Sequence, residues 1–460
     1  MILPLTTLLG LALALGTPAS QALPQTDGVQ PPNIVLIYAD DLGYTDLACY
    51  GSELHLTPHI DALAKGGKLF TNAYANAPNC APSRACLMSG QYGPRHGIYT
   101  VGSSKRGKPE DRKLDPVPNE AVLADEVLTL PEVLSASGYT CAQVGKWHLG
   151  QDPRTQGFHV NIGGNQAGHP KSYFSPYKNP DLPDGEEGEY LTDRLTDASI
   201  AFIQANHEQP FFLYLSHYAV HTPIQAKLER KEFFAKRNGK GNAGYAAMVE
   251  SLDESVGRIL QCLDDLALRE NTLVLFTSDN GGHEPVTSMA PLRGAKGMLY
   301  EGGIREPFIV NWPGRIRPGT RETTPIIATD LFPTLAALAS SSLPKDKLQD
   351  GVDIAALFFD KGKIEERPLF WHFPAYLESG GRLKQTTPWR TTPAGAVRMG
   401  NHKLLEFFED GRLELYDLEA DLSEANNLAS EQPEKAKELH DLLKAWRAQV
   451  SAPMPTAKEQ

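Results

Sequence analysis

The sequence predicts an α/β protein with a large, mostly parallel sheet flanked by helices, followed by a smaller C-terminal α+β subdomain. Two observations support this. Short apolar runs alternate with helical patterns over most of the chain, and a polar cluster follows each of four runs. Three apolar runs cover residues 34–38, 211–215 and 272–276, and a mixed run, "YTCAQVGKWHLG", ends in Lys146 and His148. Each is typical of a strand buried on both faces, as in a parallel sheet.

Helical patterns separate the predicted strands, around Leu134, from Leu191 and from Tyr245. In the last of these, apolar residues recur at helical spacing, at Met248, Leu252, Val256, Ile259 and Leu263. Doubly wound α/β sheets bind ligands beyond the carboxyl ends of their strands. The polar clusters that follow the four runs are therefore expected to form one site.

The C-terminal part has a different pattern. Two strands are predicted at residues 403–408 and 413–417, joined across Asp410 and Gly411, and an amphipathic helix from about Pro433 to Val450. We therefore predict a main α/β domain over residues 23–365 and a subdomain over residues 366–460. The segment 372–398 between them is rich in Gly, Pro and Thr, which predicts a long ordered loop.

Composition excludes some partners. The net charge of −12 argues against nucleic acid, which needs a basic face. No apolar stretch is long enough to span a bilayer. Residues 1–22 are apolar and end in small residues, which predicts a signal peptide and, after its removal, a periplasmic or secreted protein.

Five cysteines are too few for a disulfide scaffold, and their odd number leaves at least one thiol unpaired, for which Cys80 is the candidate.

Two acidic pairs at strand ends predict a metal site. Asp40 and Asp41 follow the first predicted strand, and Asp279 and Asn280 follow the fourth. All four offer oxygen ligands, which suit one Ca²⁺, with Mg²⁺ second, rather than zinc. A helix cap and a turn would explain either pair alone. Two such pairs at matching strand ends favour the metal.

A helix is predicted to begin near Cys80, since Pro82 suits a first turn. Cys80 and Arg84 are four residues apart and then project on one side. A helix N-terminus with a guanidinium beside it favours an anion. The alternative is a packed thiol and a surface arginine.

These residues carry a family resemblance. "CAPSR" at 80–84, followed by "LMSGQYGPRHG", resembles the signature of the type I sulfatases, in which the cysteine is oxidised to formylglycine. The segments "IVLIYADDLGYTD", "GKWHLG", "HTP", "TSDNGGH", "LRGAKGMLYEGGIREPFIV" and "DLFPTLAALA" are similar to sulfatase segments in the expected order. The resemblance implies the alkaline-phosphatase-like fold of the sulfatases.

The resemblance also implies roles for individual residues. Cys80, as formylglycine, would complete the Ca²⁺ site of Asp40, Asp41, Asp279 and Asn280. Arg84 and Lys146 would hold the formylglycine and the sulfate, and His148 would bond the hydrated aldehyde. His221 and Lys296 would contact the sulfate and the leaving oxygen, and His283 would contact the substrate.

The implied activity is removal of sulfate from a carbohydrate ester, a galacto-configured glycan being one option, through a formylglycine sulfate ester. Aryl sulfates are expected side substrates. The expected partner is a formylglycine-generating or anaerobic sulfatase-maturating enzyme. Two alternatives stay open: a phosphomonoesterase or phosphodiesterase of the alkaline phosphatase superfamily, and a glycan-binding relative with an inactive site.

For the sugar itself we expect contacts from the predicted loop, with His372 and Arg390 as candidates, because aromatic and guanidinium groups suit sugars and their anionic substituents.

Overall fold

The structure is a computed structural model that describes residues 31–238, 241–379 and 387–458. The predicted signal peptide, residues 1–22, lies outside the described residues. The helices are α1 Pro58–Lys65, α2 Cys80–Ser89, α3 Gly93–His96, α4 Leu130–Ala136, α5 Leu191–Asn206, α6 Leu228–Asn238, α7 Ala243–Asp265, α8 Glu301–Ile304, α9 Leu331–Leu338, α10 Ala355–Phe358 and α11 Pro433–Gln449.

The strands of the first part of the chain are β1 Asn33–Ala39, β2 Lys68–Tyr74, β3 Leu114–Asp115, β4 Thr140–Gly145, β5 Val160–Ile162, β6 Phe211–Ser216, β7 Thr272–Ser278, β8 Arg305–Asn311, β9 Thr320–Glu322 and β10 Ile326–Ile327. Those of the C-terminal part are β11 Leu369–Phe373, β12 Leu377–Glu378, β13 Trp389–Thr391, β14 Ala394–Met399, β15 His402–Phe407, β16 Arg412–Asp417 and β17 Thr456–Ala457.

A nine-stranded sheet forms the centre of the molecule, in the order β10-β2-β8-β7-β1-β6-β4-β5, with β9 also paired to β2. The four strands predicted from the sequence are β1, β4, β6 and β7, and they are neighbours in this sheet. Their pairings are all parallel, whereas β8 runs antiparallel to β2 and β7. The predicted mostly parallel sheet is confirmed.

Helices cover both faces of the sheet, and β1 shows why its sequence is continuously apolar. Ile34 and Leu36 pack into the core on one face, with Phe332 of α9. Val35 and Ile37 pack into the core on the other face, with residues of α5 and α7. Because successive side chains of a strand point to opposite faces, a strand covered on both sides needs apolar residues at every position.

The helix predicted from Tyr245 is α7, and it begins where Asn242 caps it. The Asn242 side chain accepts hydrogen bonds from the backbone amides of Gly244 and Tyr245. All five residues of the predicted apolar stripe are buried: Met248, Leu252, Val256, Ile259 and Leu263. Helical periodicity therefore identified the face that packs on the sheet.

The C-terminal part forms a four-stranded antiparallel sheet in the order β11-β14-β15-β16, on which α11 packs. The predicted hairpin is β15 and β16, paired from His402–Asp417 to Phe407–Arg412. The prediction of one long loop over residues 372–398 was wrong. Its described ends form strands, since β11 pairs with β14 across the segment and β12 with β13. Such distant pairing leaves no local signal in a Gly-rich and Pro-rich stretch.

No helix within the described ranges is long and apolar enough to cross a membrane. The five cysteines are all free thiols, and four of them are buried.

Candidate active site

The polar clusters predicted at the strand ends meet at one edge of the sheet. Ser278 at the end of β7 pairs with Ala39 at the end of β1, and Ser216 at the end of β6 pairs with Gly145 at the end of β4. The residues that follow these strands thus emerge side by side. They are Asp40 and Asp41, Lys146 and His148, His217 and His221, and Asp279 and Asn280.

The acidic residues are buried and hold one another in place. Asp279 Oδ1 accepts a hydrogen bond of 3.1 Å from the backbone amide of Asp41, and the Asn280 side-chain amide donates to Asp41 Oδ1 at 2.8 Å. Asp41 has a φ of 61°, a left-handed conformation that is uncommon outside glycine. Such strained residues cluster at functional sites, where the surrounding structure fixes them.

Lysines face these carboxylates. Lys146 Nζ lies 2.7 Å from Asp40 Oδ2, and Lys296 Nζ lies 2.8 Å from Asp41 Oδ2. Lys296 and His221 outweigh the effect of burial and hold the pKa of Asp41 well below its usual range. In contrast, burial and repulsion by Asp40 raise the pKa of Asp279. The two lysines therefore pair with Asp40 and Asp41, and Asp279 needs another cation.

Two buried oxygens of the cluster accept no hydrogen bond from any described group: Asp40 Oδ1 and Asn280 Oδ1. Buried acceptors without donors are rare and call for a partner. Asp40, Asp41, Cys80 and His221 also each have one potential metal-ligand atom, and these four atoms lie within 4.8 Å of one another. Oxygen ligands and buried acceptors without donors together fit a hard divalent cation.

Cys80 begins α2, with Pro82 in the first turn, as predicted. The whole helix is buried, and Cys80 itself is 2% exposed. Lys296 Nζ donates to Cys80 Sγ at 3.2 Å. Although burial acts in the opposite direction, Lys146 and Lys296 lower the pKa of the Cys80 thiol well below its ordinary value. An anionic group at this position is therefore stabilised by two cations and by the helix N-terminus.

Arg84 lies one turn further along α2 and is fully buried. Its Nε and Nη2 donate to Asp279 Oδ2 at 3.0 and 2.8 Å, and its Nη1 donates to the Lys146 backbone oxygen at 3.2 Å. The side chain thus joins α2 to the ends of β7 and β4. In this arrangement its charge balances the acidic cluster directly.

Two histidines flank Cys80. His148 has a φ of 65° and its ring lies against Gly168, where a Cβ atom would come within 2.5 Å of Cε1. Burial lowers the pKa of His148 to about 4, so the ring is neutral near pH 7. His221 Nδ1 lies 2.7 Å from the Thr222 oxygen, which fixes the proton on Nδ1, and Nε2 faces Asp41 Oδ2 at 3.5 Å. Burial lowers the pKa of His221, but Asp41 outweighs it and raises the value overall.

The three predicted substrate-binding residues lie in different places. His283 is half-buried; burial, Arg390 and Lys296 lower its pKa to about 4 despite the nearby Asp41. Arg390 reaches the site from β13, with Nη1 3.4 Å from the Lys296 backbone oxygen. His372 does not. It is buried in β11 with Nε2 2.9 Å from the Pro453 oxygen, between the rings of Tyr99 and Phe408.

His372 is therefore a packed residue of the C-terminal subdomain, and its assignment as a sugar contact was wrong. The composition of its segment suggested a loop, whereas the segment starts with a core strand. Conversely, no sequence pattern indicated His169. This exposed residue stacks on His221 with an interplanar angle of 8° and a centroid distance of 6.1 Å. It lies in an irregular stretch after β5 that carries no periodicity.

A cavity of about 810 Å³ lies between the segment 284–300 and the C-terminal subdomain. Glu284, Arg293, Tyr300, Trp389, Arg390 and Arg412 are among its lining residues. Arg390 both lines this cavity and contacts Lys296, so the cavity adjoins the polar cluster at the strand ends. Its volume is within the range of small-molecule sites.

The fold and this cluster define an α/β protein with a buried polar site beyond the ends of its parallel strands, and comparison with known proteins identifies its family. The model of the sulfatase family matches residues 32–341, and that of the C-terminal part of N-sulphoglucosamine sulphohydrolase matches residues 295–449. The chain belongs to the sulfatase family. It is a sulfuric ester hydrolase with the alkaline-phosphatase-like fold, as the sequence resemblance implied.

Individual relatives of known name support the assignment to the sulfatase family. A sulfatase of Formosa agariphila is 34% identical, over 93% of this chain and 90% of its own length. The N-acetylgalactosamine-6-sulfatase of Rattus norvegicus is 35% identical over 81% of this chain and 72% of its own length. A crystal structure of Ps i-CgsB in complex with k-i-k-neocarrahexaose is 29% identical, with a TM-score of 0.77, and covers 93% of this chain and 95% of that one.

Proposed function

We propose that the protein removes sulfate from carbohydrate sulfate esters, with a formylglycine at position 80 and one Ca²⁺. One observation carries the proposal. Cys80, in a Cys-x-Pro-x-Arg sequence, lies at the N-terminus of a buried helix with its Sγ 3.2 Å from Lys296 Nζ and close to Asp40 and Asp41. A packed structural thiol needs neither the two lysines nor the acidic cluster.

Asp40, Asp41, Asp279 and Asn280 would hold the cation, together with residue 80. The orphan oxygens of Asp40 and Asn280 support this set. Ca²⁺ is preferred over Mg²⁺ because an all-protein set of carboxylate and amide oxygens suits its larger, more adaptable coordination shell. Zinc is disfavoured because the set holds few nitrogen or sulfur ligands.

When present, the hydrated aldehyde supplies the nucleophilic oxygen, and the cation polarises it and the sulfate. The chain's own residues do the rest. Lys146, Lys296 and the N-terminus of α2 stabilise the negative charge of the sulfate. His221 carries one proton on Nδ1, and Asp41 raises its pKa against the effect of burial, which favours a second proton on Nε2. That second proton is the one that would pass to the leaving oxygen. His148 is neutral and buried beside residue 80, where it accepts a proton.

Names of relatives support the carbohydrate substrate. The rat relative is an N-acetylgalactosamine-6-sulfatase, and the related crystal structure contains a neocarrahexaose. A galacto-configured sugar is therefore the first substrate to test. The adjoining cavity gives such a sugar room beyond the sulfate.

Formation of the formylglycine requires a maturation enzyme, either a formylglycine-generating or an anaerobic sulfatase-maturating enzyme. The Cys-x-Pro-x-Arg sequence supports this partner. The apolar segment 1–22 supports export to the periplasm or beyond the cell.

The test combines chemistry and turnover. Protein co-expressed with a maturation enzyme is digested, and the peptide containing Cys80 is analysed by mass spectrometry for exchange of the thiol for an aldehyde. Hydrolysis of a 4-nitrophenyl sulfate and of a 4-nitrophenyl phosphate is then measured in parallel, with Cys80→Ala as control. We expect modification, a preference for the sulfate and no turnover by the variant. A preference for the phosphate, or full activity with an intact thiol, would contradict the proposal.

A further inference from the structure

The segment that carries Lys296 is held by a residue of the C-terminal subdomain. We name residues 293–301 the Lys296 loop. The loop has no strand, and helix α8 begins only at its last residue, Glu301. Its shape therefore depends on contacts with its surroundings, and Glu424 makes one contact at each of its two ends.

Glu424 lies in the turn after β16 and is fully buried. Its Oε2 accepts a 2.7 Å hydrogen bond from the backbone amide of Glu301, and its backbone oxygen accepts one of 2.9 Å from Arg293 Nη1. One residue thus binds the first and the last residue of the Lys296 loop. Glu424 has a φ of 50°, a left-handed conformation that orients both groups toward the loop.

An ionic network fixes Glu424 in turn. Lys403 Nζ lies 3.0 Å from Glu424 Oε1 and 2.9 Å from Glu301 Oε1, and all three side chains are inaccessible to solvent. Arg305 donates to Glu301 Oε2 at 2.7 Å. Lys403 and Arg305 outweigh burial and hold the pKa of Glu301 far below its usual range. Burial and Glu301, in contrast, raise the pKa of Glu424 to about 7, although Lys403 acts in the opposite direction. The 3.0 Å contact with Lys403 holds the Glu424 side chain in place.

The middle of the loop is anchored on the active-site side. The backbone amide of Lys296 donates to the Gly282 oxygen at 3.1 Å, and that of Gly297 donates to the Pro78 oxygen at 2.8 Å. Gly282 follows Asp279 and Asn280, and Pro78 precedes Cys80. The loop is therefore stretched between the catalytic cluster and Glu424.

We propose that Glu424 is a positioning residue for Lys296: by binding both ends of the loop, it holds Nζ between Cys80 and Asp41. This inference rests on the proposed function for its kinetic consequence, though the contacts themselves do not. It makes the C-terminal subdomain part of the catalytic apparatus, even for a substrate too small to touch it. A misplaced catalytic group costs rate steeply, because reaction requires near-contact geometry.

The kinetic test is a double-mutant cycle on a small aryl sulfate, with Glu424→Gln, Lys296→Ala and the combined variant. We expect E424Q to reduce kcat/KM by about 10- to 100-fold. If Glu424 acts through Lys296, adding E424Q to K296A lowers kcat/KM no further, since coupled residues are not additive. Full additivity would overturn the inference. Glu406→Gln is the matched control: Glu406 pairs with the buried Arg447 in the same subdomain without touching the loop. It should lower stability while leaving kcat/KM nearly unchanged.

A second measurement is independent of turnover. Hydrogen exchange of wild type and E424Q is followed by mass spectrometry on peptides from the loop and from β1. We expect faster exchange in residues 293–301 of E424Q, unchanged exchange in β1, and neither change in E406Q. Equal exchange in the loop would overturn the inference even if the protein hydrolyses sulfates. If wild type hydrolysed no sulfate but the loop exchanged faster in E424Q, the proposed function would fail and the positioning would stand.

Discussion

Arg84 and Asp279 form a fully buried ion pair, in which two guanidinium nitrogens donate to the same carboxylate oxygen, Asp279 Oδ2. The pair joins helix α2, which presents Cys80, to the end of β7, which presents two of the expected cation ligands. The proposed nucleophile and the proposed cation ligands are thus placed relative to each other by one contact. Any change in this pair should affect fold, metal and activity together.

Replacement of Arg84 by Ala should reduce the free energy of unfolding by about 3–5 kcal/mol, because Asp279 is left buried without its counter-charge. Denaturation by urea, in chelator and in millimolar Ca²⁺, measures this. We expect Ca²⁺ to restore part of the loss, because the bound cation replaces some of the missing positive charge. A loss under about 1 kcal/mol in chelator would contradict the burial argument.

Removal of the cation should lower both activity and stability. A ligand at 100 times its Kd stabilises the folded state by about 2.7 kcal/mol, so the melting temperature should rise with Ca²⁺ concentration. Asn280→Ala removes an orphan oxygen and should weaken Ca²⁺ binding by about 10-fold or more, since even outer-shell partners contribute that much. Calorimetric titration of wild type, N280A and the surface control Asn401→Ala checks this. Stronger stabilisation by Zn²⁺ than by Ca²⁺ would argue against the oxygen site.

His96 should make the protein sensitive to acid. It is buried in α3, its Nε2 faces Cys86 Sγ at 3.4 Å, and burial lowers its pKa from 6.5 to about 3. Above pH 6.5 both folded and unfolded states hold the ring neutral, so it has no effect there. Below that pH only the unfolded state takes up the proton, and stability falls by about 1.4 kcal/mol per pH unit until the folded pKa is reached.

His96→Gln should make the free energy of unfolding less dependent on pH below 6.5, by the contribution of about one proton. The measurement is urea unfolding of wild type and variant between pH 7 and pH 5. His207→Gln, at an exposed position, is the control and should keep the wild-type slope. Identical slopes for wild type and H96Q would show that His96 does not titrate on unfolding.

Local sequence patterns predicted the parts of this molecule that are set by local rules. The strands that precede Asp40 and Asp279 have apolar centres because helices cover both faces of the sheet, whereas the strand before Lys146 is mixed and contains the buried Gln143. Their parallel order then places the polar residues at one edge. What the sequence did not indicate depends on distant pairing. Neither β11 with β14 nor the contacts among Glu301, Lys403 and Glu424 has a local signature, because the partners are brought together only by tertiary packing.

The same reasoning separates two residues that looked alike in the sequence. Arg390 and His372 were both expected to bind sugar, but only Arg390 lines the cavity beside Lys296. Burial lowers the pKa of Arg390, its Nε has no hydrogen-bond partner among the described residues, and no salt bridge joins it to any of them. A desolvated guanidinium without a fixed counter-ion favours an anionic ligand.

Arg390→Ala should therefore impair sulfated oligosaccharides that place a second anionic group in the cavity. A hydrogen bond to a charged group contributes about 1.5–3 kcal/mol, which corresponds to a loss of about 10- to 100-fold in kcat/KM. A 4-nitrophenyl sulfate does not reach the cavity and should change by less than about 3-fold, since only contacts to the missing group are lost. His372→Ala is the matched control. It removes a packed ring from the subdomain core, so it should lower the melting temperature while leaving the ratio of kcat/KM for the two substrates as in wild type. Equal losses on both substrates in R390A would mean that Arg390 acts on the sulfate itself. A changed ratio of kcat/KM in H372A would show that His372, in β11, contacts the sugar after all.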